Sequence, residues 1–495
     1  MAPVSQSTTN NALDIDGSGN ALNIPFNNSS MLDIDLFSDS DMQFDWTSQV
    51  STFEPLEEFL LNRLSPVPLP QSETEDNLSP SELSILHSYY FDSIYFSFPF
   101  LYRARFDAES SGTNRGSAIM ALIYAVALAG CTHCSAHHDK KSTCYRLSRD
   151  YAEQCEREGQ LNDLNLLEAL LFIGRFEAME GKLDKSWMTL GRAAMLSKLM
   201  ELHQLDDDTG RSQHPHTTDQ VLLEERRRTL WALYILQSYV KTRTERGCML
   251  GDVTKFRIRL PSPGLLTPEL VPLKMPFLSD IDIEPMADIS SYAGCVLMVE
   301  LALNCFSHTE DCASNGFWDG YCALVKKTDQ LFGTLKEHLN ATSIRNDPVA
   351  FSLYLNLRAT EIFCHESAIT RSQEQGLPPL MTAESQRRAT AAAFQISTAV
   401  RLNLPSPGKF DSDIIRLQAI FIAWPLTMAL KAFHRELVHG DSRDTVNGVV
   451  ASSRLLFAAL DHIEESGGHW HTSVAHVERK LQELEERNSF TSLAS

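Results

Sequence analysis

The sequence has no cysteine before Cys131 and only ten in 495 residues. Secreted domains held together by disulfides are small and dense in cysteine, so this distribution excludes that class. The first residues also contain neither the basic stretch nor the apolar run of a secretory signal. We therefore expect reduced thiols and an intracellular protein, in the cytosol or the nucleus.

Long apolar runs are lacking as well. The longest lies near Ala118–Cys131, and a helix that crosses a bilayer needs about 20 such residues. This run therefore predicts a buried core helix, and we expect no association with a membrane.

Positive charge is scarce, since 43 Lys and Arg residues stand against 64 Asp and Glu residues, for a net charge of −21. Such a surface repels nucleic acid, so DNA binding requires a local basic module, and none stands out. Common catalytic signatures are missing too: a dinucleotide-binding glycine motif, a P-loop, a G-x-S-x-G turn and an H-E-x-x-H helix. We predict no catalytic residue and no cofactor, although an enzyme on an all-α fold stays open as a lesser hypothesis.

Cys131 and Cys134 form a C-x-x-C pair at a spacing that metal ligands use. A structural zinc site needs four ligands, often as two close pairs, whereas Cys144 and Cys155 follow singly. Cys131 also ends the apolar run, where cysteine packs as a small hydrophobic side chain. We therefore predict packing there and no metal site.

Residues 1–78 differ in composition from the rest of the chain. Their first 75 residues hold twelve acidic residues and one basic residue, which is about half of the net charge. Such a segment cannot bury enough apolar surface to offset the entropy of ordering, so we predict a disordered acidic tail. Phe37, Phe44, Trp46 and Phe53 are interleaved with the acids, as is typical of an activation segment that docks in a basic, apolar groove of a partner. An inert solvated tail is the alternative.

Helical periodicity dominates from Ser79 onward. Ser79, Pro80 and Glu82 supply an N-cap, a proline at the first helical position and an acid in the first turn. Extended patterns are scarce, so the sequence predicts an all-α, multi-helix domain. The predicted helices span residues 80–92, 115–132, 141–158, 162–180, 183–202, 220–242, 287–307, 318–340, 347–374, 382–403, 411–437, 444–465 and 472–487.

Three consecutive arginines, Arg226 to Arg228, follow Glu224 and Glu225 at the start of an amphipathic helix. Alone, they suggest a phosphate-binding patch or a nuclear-import signal. An arginine with an acid three or four positions earlier, however, pairs with it along one face of a helix. The apolar residues Leu230, Trp231, Tyr234 and Ile235 follow on the same helix. We therefore expect these arginines to form ion pairs beside the core.

Several segments, taken in order and at family spacing, resemble the fungal-specific transcription factor domain, the middle homology region of fungal zinc-cluster transcription factors. They are Phe98–Phe106 (FPFLYRARF), Leu166–Arg175 (LLEALLFIGR), Ser186–Met195 (SWMTLGRAAM), Ser197–His203 (SKLMELH), Glu224–Trp231 (EERRRTLW) and Ile258–Pro261 (IRLP). The resemblance covers about residues 81–265. Tyr102 and Ala104 replace the family's His and Pro.

Within this stretch Trp187, Leu190, Gly191 and Ala194 recur at helical spacing. Gly191 and Ala194 are small enough to let another helix approach closely. We therefore expect these motif residues to determine packing.

The resemblance implies a helical regulatory domain. It also implies an N-terminal module of six cysteines that binds two zinc ions and places a helix in the DNA major groove. No cysteine precedes Cys131 in this sequence. Either the protein lacks the zinc cluster or the module lies upstream of these residues, and no DNA-contacting residue is assigned.

We therefore predict a nuclear transcriptional regulator of a metabolic gene cluster, which in this family is quite often one for a secondary metabolite. The predicted parts are the acidic tail 1–78, the first part of the regulatory domain 79–280, and its C-terminal helical part 281–495. The expected partners are the transcription machinery or a DNA-bound regulator, and a homodimer stays open. The alternative is a helical adaptor or co-regulator that binds a DNA-bound partner without contacting DNA itself.

Overall fold

The computed structural model describes residues 78–113, 115–207, 219–244, 247–281, 289–310, 316–403, 413–439, 443–464 and 470–493. These residues lie in one compact unit of the chain. The activation-segment candidates Phe37, Phe44, Trp46 and Phe53 lie outside the described residues, so their role stays a prediction.

Helices account for the regular secondary structure of the described part. They are α1 Pro80–Tyr89, α2 Arg103–Ser110, α3 Ser117–His133, α4 Lys141–Glu158, α5 Leu164–Met179, α6 Leu183–Leu199, α7 Gln220–Thr244, α8 Ser291–Glu310, α9 Phe317–Thr334, α10 Ala341–Asn346, α11 Pro348–Glu374, α12 Pro379–Asn403, α13 Asp413–His439, α14 Arg443–Glu464 and α15 Ala475–Leu493. Extended pairing in the same residues is limited to an isolated bridge between Arg259 and Phe277. The all-α prediction is confirmed.

The start of α1 follows from its sequence. Ser79 accepts a hydrogen bond from the Glu82 backbone N–H at 3.2 Å, and the Glu82 carboxylate accepts one from the Ser79 N–H at 2.8 Å. This reciprocal capping box satisfies two backbone donors at the helix start. The predicted N-terminus is confirmed, whereas the helix ends at Tyr89 and continues as a π-turn and a 3-10 turn to Ser97.

The apolar run near Ala118–Cys131 forms α3, which packs against α1, α4 and α5. Leu122, Ala125 and Val126 are fully buried, so the prediction of a core helix is confirmed. Where α1 crosses α3, a Cβ on Gly130 would lie 2.6 Å from the Leu86 carbonyl oxygen, so only glycine fits. No helix of the described part is both long and apolar enough to span a bilayer.

In the second half of the chain, α11 is the central helix. It packs against α8, α9, α12 and α13, and α8 also packs against α7. Helix α8 therefore connects the two halves of the described unit. The predicted division at residue 280 stays a prediction.

Most of the predicted helices are present with ends that shift by a few residues. Two short helices, α2 and α10, were not predicted, and α9 ends at Thr334 whereas the prediction extended it to residue 340. The Ser291 start of α8 and the Ala475 start of α15 lie a few residues later than expected.

Candidate functional site

The segment Phe98–Phe106 and helix α7 meet at Arg105, whose side chain is 11% exposed. The Arg105 guanidinium donates to the Glu225 carboxylate at 2.7 and 2.9 Å and to Glu168 at 2.5 Å. It also donates to Asn165 at 2.5 Å and to Glu109 at 3.3 Å. One cation thereby holds together α2, α5 and α7.

The carboxylates around Arg105 are deeply buried. The side chains of Glu168 and Glu225 are 0% exposed, and burial raises the pKa of both carboxyl groups against the opposing attraction of Arg105. Further hydrogen bonds reach them, from the Thr229 hydroxyl to Glu168 at 3.1 Å and from the Tyr102 backbone N–H to Glu225 at 2.7 Å. Buried ionic groups of this kind are stable only when every donor and acceptor is engaged.

A second buried arginine, Arg228, lies on α7 itself, about one helical turn after Glu225. Arg228 is 2% exposed and donates to Glu224 at 3.1 Å and to the backbone carbonyls of Ser262 and Gly264 at 2.9 and 2.7 Å. Glu224 also accepts from the Ser262 backbone N–H at 2.8 Å. The Trp231 indole donates to the Arg259 carbonyl at 2.8 Å. These bonds fasten the segment after Ile258 onto α7.

Arg227 makes a further ion pair, with its side chain 11% exposed like that of Arg105. Its guanidinium donates to both carboxylate oxygens of Asp206, at 2.9 Å from Nε and 2.5 Å from Nη2, and to Glu224 from Nη1 at 3.3 Å. Asp206 in turn accepts from the Arg259 backbone N–H. The prediction that the arginines pair with acids three or four positions earlier is confirmed for Arg227 and Arg228.

The apolar residues of the same helix behave as predicted. Leu230, Trp231, Tyr234 and Ile235 are each at most 5% exposed. The guanidinium groups of Arg227 and Arg228 are hydrogen-bonded to carboxylates and carbonyls of their own chain. These two cations are therefore not available to bind a phosphate.

The Ser186–Met195 stretch forms most of α6 and packs against α5 and α7. Leu190 and Ala194 are buried, and the Leu190 carbonyl accepts from the Gln237 side chain of α7 at 2.9 Å. The expectation for Gly191 was wrong in one respect. A Cβ there would lie 2.5 Å from the Met249 sulfur, so the glycine accommodates a side chain of the segment after α7 and not a helix.

The close helix approach in this pair is made by a different glycine. A Cβ on Gly174 in α5 would lie 2.7 Å from the Leu190 side chain of α6. Sequence reasoning missed this residue, although Gly174 stands in an otherwise bulky helical run, which signals a contact that tolerates no side chain.

Cys131 lies in a core cluster with Leu128, Cys144 and Phe176. Its Sγ atom is 3.7 Å from Sγ of Cys144, and the hydrogen bond to Cys144 together with burial raises the pKa of the Cys131 thiol. Burial of a protonated thiol among apolar side chains is the packing role that the sequence predicted. Cys134 is partly exposed. The described residues contain no group of three or more side chains suited to hold a metal ion.

Arg105 and Glu168 are the site residues that the sequence analysis did not single out. Glu168 stands inside the apolar run of α5, and a carboxylate in such a run signals a buried cationic partner. The partner lies 63 residues away in sequence, so the pairing itself follows only from the fold.

Taken together, the charged residues of the site fasten segments far apart in sequence onto α7. The segments are the Phe98–Phe106 element through Arg105 and Glu225, the start of α5 through Glu168, the turn at Asp206 through Arg227, and residues 259–264 through Arg228 and Trp231. Each of these segments lies in or beside one of the motifs quoted above. The arrangement therefore ties these segments to one helix through ion pairs and hydrogen bonds among groups of the chain itself.

Comparison with known proteins matches residues 87–313 to the fungal specific transcription factor domain. The chain is 68% identical, over its whole length and 83% of the other protein, to the depudecin biosynthesis cluster-specific transcription activator DEP6 of Fusarium langsethiae. It is 63% identical, over 94% of this chain and 75% of the other, to the protein of the same description from Alternaria brassicicola.

A more distant relative is the pigment biosynthesis transcriptional activator pigB of Monascus ruber, at 23% identity over 62% of this chain and 58% of the other. The motifs quoted from the sequence fall inside the matched range, and the buried network around Arg105 and Arg228 is built from them. The chain belongs to the family of fungal transcription factors that carry the fungal-specific transcription factor domain.

Proposed function

We propose that this chain is a nuclear activator of a secondary-metabolite gene cluster, and that the cluster is the one for depudecin biosynthesis. The observation that carries the proposal is the 68% identity that extends over the full chain to a relative described as an activator of that cluster. A second relative of the same description is 63% identical.

The role requires no catalysis. The charged groups of the candidate site satisfy one another, and Arg105, Glu168, Glu225 and Arg228 are too deeply buried to meet a substrate. We therefore propose no catalytic role for this network and treat it as the element that holds the segments of the regulatory domain together.

The test is genetic. The gene is deleted in the fungus that encodes this chain, and transcripts of the depudecin biosynthesis genes are measured before and after the chain is restored from its own promoter. We expect the transcripts to fall on deletion and to return on restoration. Unchanged transcripts in the deletion strain would contradict the cluster assignment.

Chromatin occupancy of the tagged chain separates the routes to the promoter. Peaks over a shared DNA motif that persist when other regulators are deleted indicate direct reading of DNA. Peaks that disappear with one other regulator indicate recruitment by that partner. The same tagged strain shows whether the chain accumulates in the nucleus, and sedimentation of the purified chain tests for a homodimer.

We further propose that Phe37, Phe44, Trp46 and Phe53 contact the transcription machinery. The support is their interleaving with acidic residues, which keeps aromatic side chains accessible in water. The full chain is tethered to a reporter promoter through a foreign DNA-binding domain, with the four aromatics changed to Ala. The matched control changes Asn27, Asn28, Ser29 and Ser30 to Ala. We expect only the aromatic variant to lose reporter activity, and equal activity of the two variants would count against the proposal.

A further inference from the structure

A cavity of about 70 Å³ lies where α7, α8, α11 and α13 meet the Phe98 end of the first motif. Its lining is mainly apolar and includes Phe98, Ile235, Met298, Val299 and Ala302. The cavity thus joins the family-matched part of the chain to the helices that follow it. None of the buried arginines described above lines it.

Three residues of these mainly apolar walls, Ser238, Tyr239 and Trp424, have a buried polar atom without a hydrogen-bond partner among the described residues. Tyr239 and Trp424 both line the cavity, and neither the Tyr239 hydroxyl nor the Trp424 indole N–H has a hydrogen-bond partner among the described residues, although both atoms are buried. Trp424 as a whole is 8% exposed. A buried donor without an acceptor costs free energy that a bound acceptor would recover.

The Tyr239 hydroxyl and the Trp424 indole N–H are suited to donate. Burial raises the pKa of the Tyr239 hydroxyl, so it keeps its proton at neutral pH, and the indole N–H is a donor only. Among the other polar residues of the wall, Asn356 donates to the Phe421 carbonyl at 2.5 Å and Ser97 donates to the Ile94 carbonyl at 2.8 Å. The Ser238 hydroxyl is buried without a partner among the described residues. The cavity therefore presents the Tyr239 and Trp424 donors, and the Ser238 hydroxyl, to a guest that is otherwise apolar.

We propose that this cavity binds a small, mainly apolar organic molecule that carries an acceptor oxygen, such as a ketone, which the Tyr239 hydroxyl and the Trp424 indole hold. Its volume is about half that of a cavity that admits benzene, roughly 150 Å³, so the guest, or the part that enters, is about the size of acetone. The binding site stands on its own geometry, whereas a role of that guest in controlling transcription rests on the function proposed above.

The wall residues also connect to the motif network. The Tyr292 hydroxyl donates to the Arg228 backbone carbonyl at 3.2 Å, and the Phe98 ring contacts both Tyr292 and Phe421. A guest in the cavity therefore touches side chains that pack directly on the segments fastened by Arg228. Binding would therefore act on the cavity walls that α7, α8, α11 and α13 share.

The experiment uses the full chain labelled with 5-fluorotryptophan, in which the Trp424→Phe variant identifies the Trp424 resonance among the six tryptophans. Acetone and, separately, xenon are titrated while fluorine NMR follows that resonance. Xenon reports apolar volume alone, whereas acetone adds the acceptor. We expect a saturable shift with both probes.

Two variants separate the hydrogen bond from the volume. Tyr239→Phe is expected to weaken acetone binding about three- to tenfold, the range that one neutral hydrogen bond contributes, and to leave xenon binding unchanged. Ala302→Leu fills the cavity and is expected to abolish the shift with either probe. If Leu prevents folding, as judged by circular dichroism, Ala302→Val supplies a smaller filling change.

The matched control is Tyr90→Phe, which removes another buried hydroxyl that lacks a partner but does not line this cavity. It should leave both titrations as in the unmodified chain. A shift with xenon alone would overturn the ketone assignment, and no saturable shift with either probe would show a site that holds ordered water only. Acetone binding that survives Ala302→Leu would place the guest elsewhere. These readouts do not involve transcription, so their failure is distinguishable from failure of the proposed function.

Discussion

Two parts of the interior bury polar groups in opposite ways. Around Arg105 every carboxylate meets a guanidinium, an amide or a hydroxyl, so the burial of charge is offset by partners. Beside Trp424 the walls are mainly apolar, and Ser238, Tyr239 and Trp424 each have a buried polar atom without a partner among the described residues. In the first part the chain itself supplies the partners of its buried polar groups. In the second part a bound guest would supply them.

The largest effect is expected when the cation of the buried network, Arg105, is removed. Arg105→Met leaves Glu168 and Glu225 buried without their partner, and removal of one member of a buried pair typically costs about 3–5 kcal/mol. We expect a loss of that size in the free energy of unfolding, measured by urea denaturation with circular dichroism.

Arg103→Met is the matched control for this change, since Arg103 lies on the same helix with its side chain 47% exposed and pairs with the exposed Asp92 and Asp107. Exposed ion pairs contribute about 0–1 kcal/mol. Equal losses for the two variants would mean that the buried network adds no more stability than a surface pair.

The boundary of the cavity can be tested at Pro425, which stands inside α13. Proline has no N–H, so it leaves the carbonyl four residues earlier, that of Phe421, without its helical donor. The Asn356 side chain of α11 donates to that carbonyl at 2.5 Å. Asn356→Ala is expected to cost about 1–3 kcal/mol of unfolding free energy, since a buried acceptor loses its donor.

A double-mutant cycle checks this explanation. Pro425→Ala restores a backbone N–H, so Asn356→Ala should cost less in that background than in the unmodified chain. Asn304→Ala, on the exposed face of α8, removes a 3.3 Å bond to Glu300 and should change stability by a few tenths of a kcal/mol. If Asn356→Ala costs the same with and without Pro425, the carbonyl is not what the Asn356 side chain stabilises.

The fold could be predicted largely from local patterns, because the apolar periodicity and the capping residues of long amphipathic helices are visible in the sequence. The helices that were missed are short and have little apolar content. Phe106 is the buried residue of α2 and Ile344 that of α10, and one apolar position sets no period. Tertiary contacts, such as those of Arg105, stabilise such helices where local propensity does not.

The site could be predicted in part. The arginines of α7 and their acids are neighbours on one helix, so spacing alone predicted their pairing. Arg105 and Glu168 lie on different helices, and Tyr239 and Trp424 line one cavity only when α7, α8, α11 and α13 assemble. Contacts between residues on different helices depend on how the chain runs from one helix to the next. The local periodicity of a sequence carries no information about that path.

The smallest expected effect is on the pH dependence of stability, and it tests the charged network around Arg105. Burial raises the pKa of Glu168 above its unfolded value, so the folded state holds this proton more tightly. The resulting stabilisation is fully present below the unfolded pKa and is lost as pH rises through the folded pKa. Glu168→Gln removes this titration. Between pH 5 and 8 we therefore expect its unfolding free energy to fall less steeply with pH than that of the unmodified chain, by at most about 1.4 kcal/mol per pH unit.

Glu82→Gln is the control for this slope, because hydrogen bonds from Ser79 lower the pKa of Glu82. A carboxyl group with a lowered pKa is ionised in both the folded and the unfolded state above about pH 5.5. Its loss therefore changes the unfolding free energy by the same amount at every pH in that range and leaves the slope unchanged. Urea denaturation at several pH values gives both slopes. If Glu168→Gln runs parallel to the unmodified chain while Glu82→Gln does so too, the buried carboxyl holds no extra proton, and Glu168 is ionised beside Arg105 throughout this pH range.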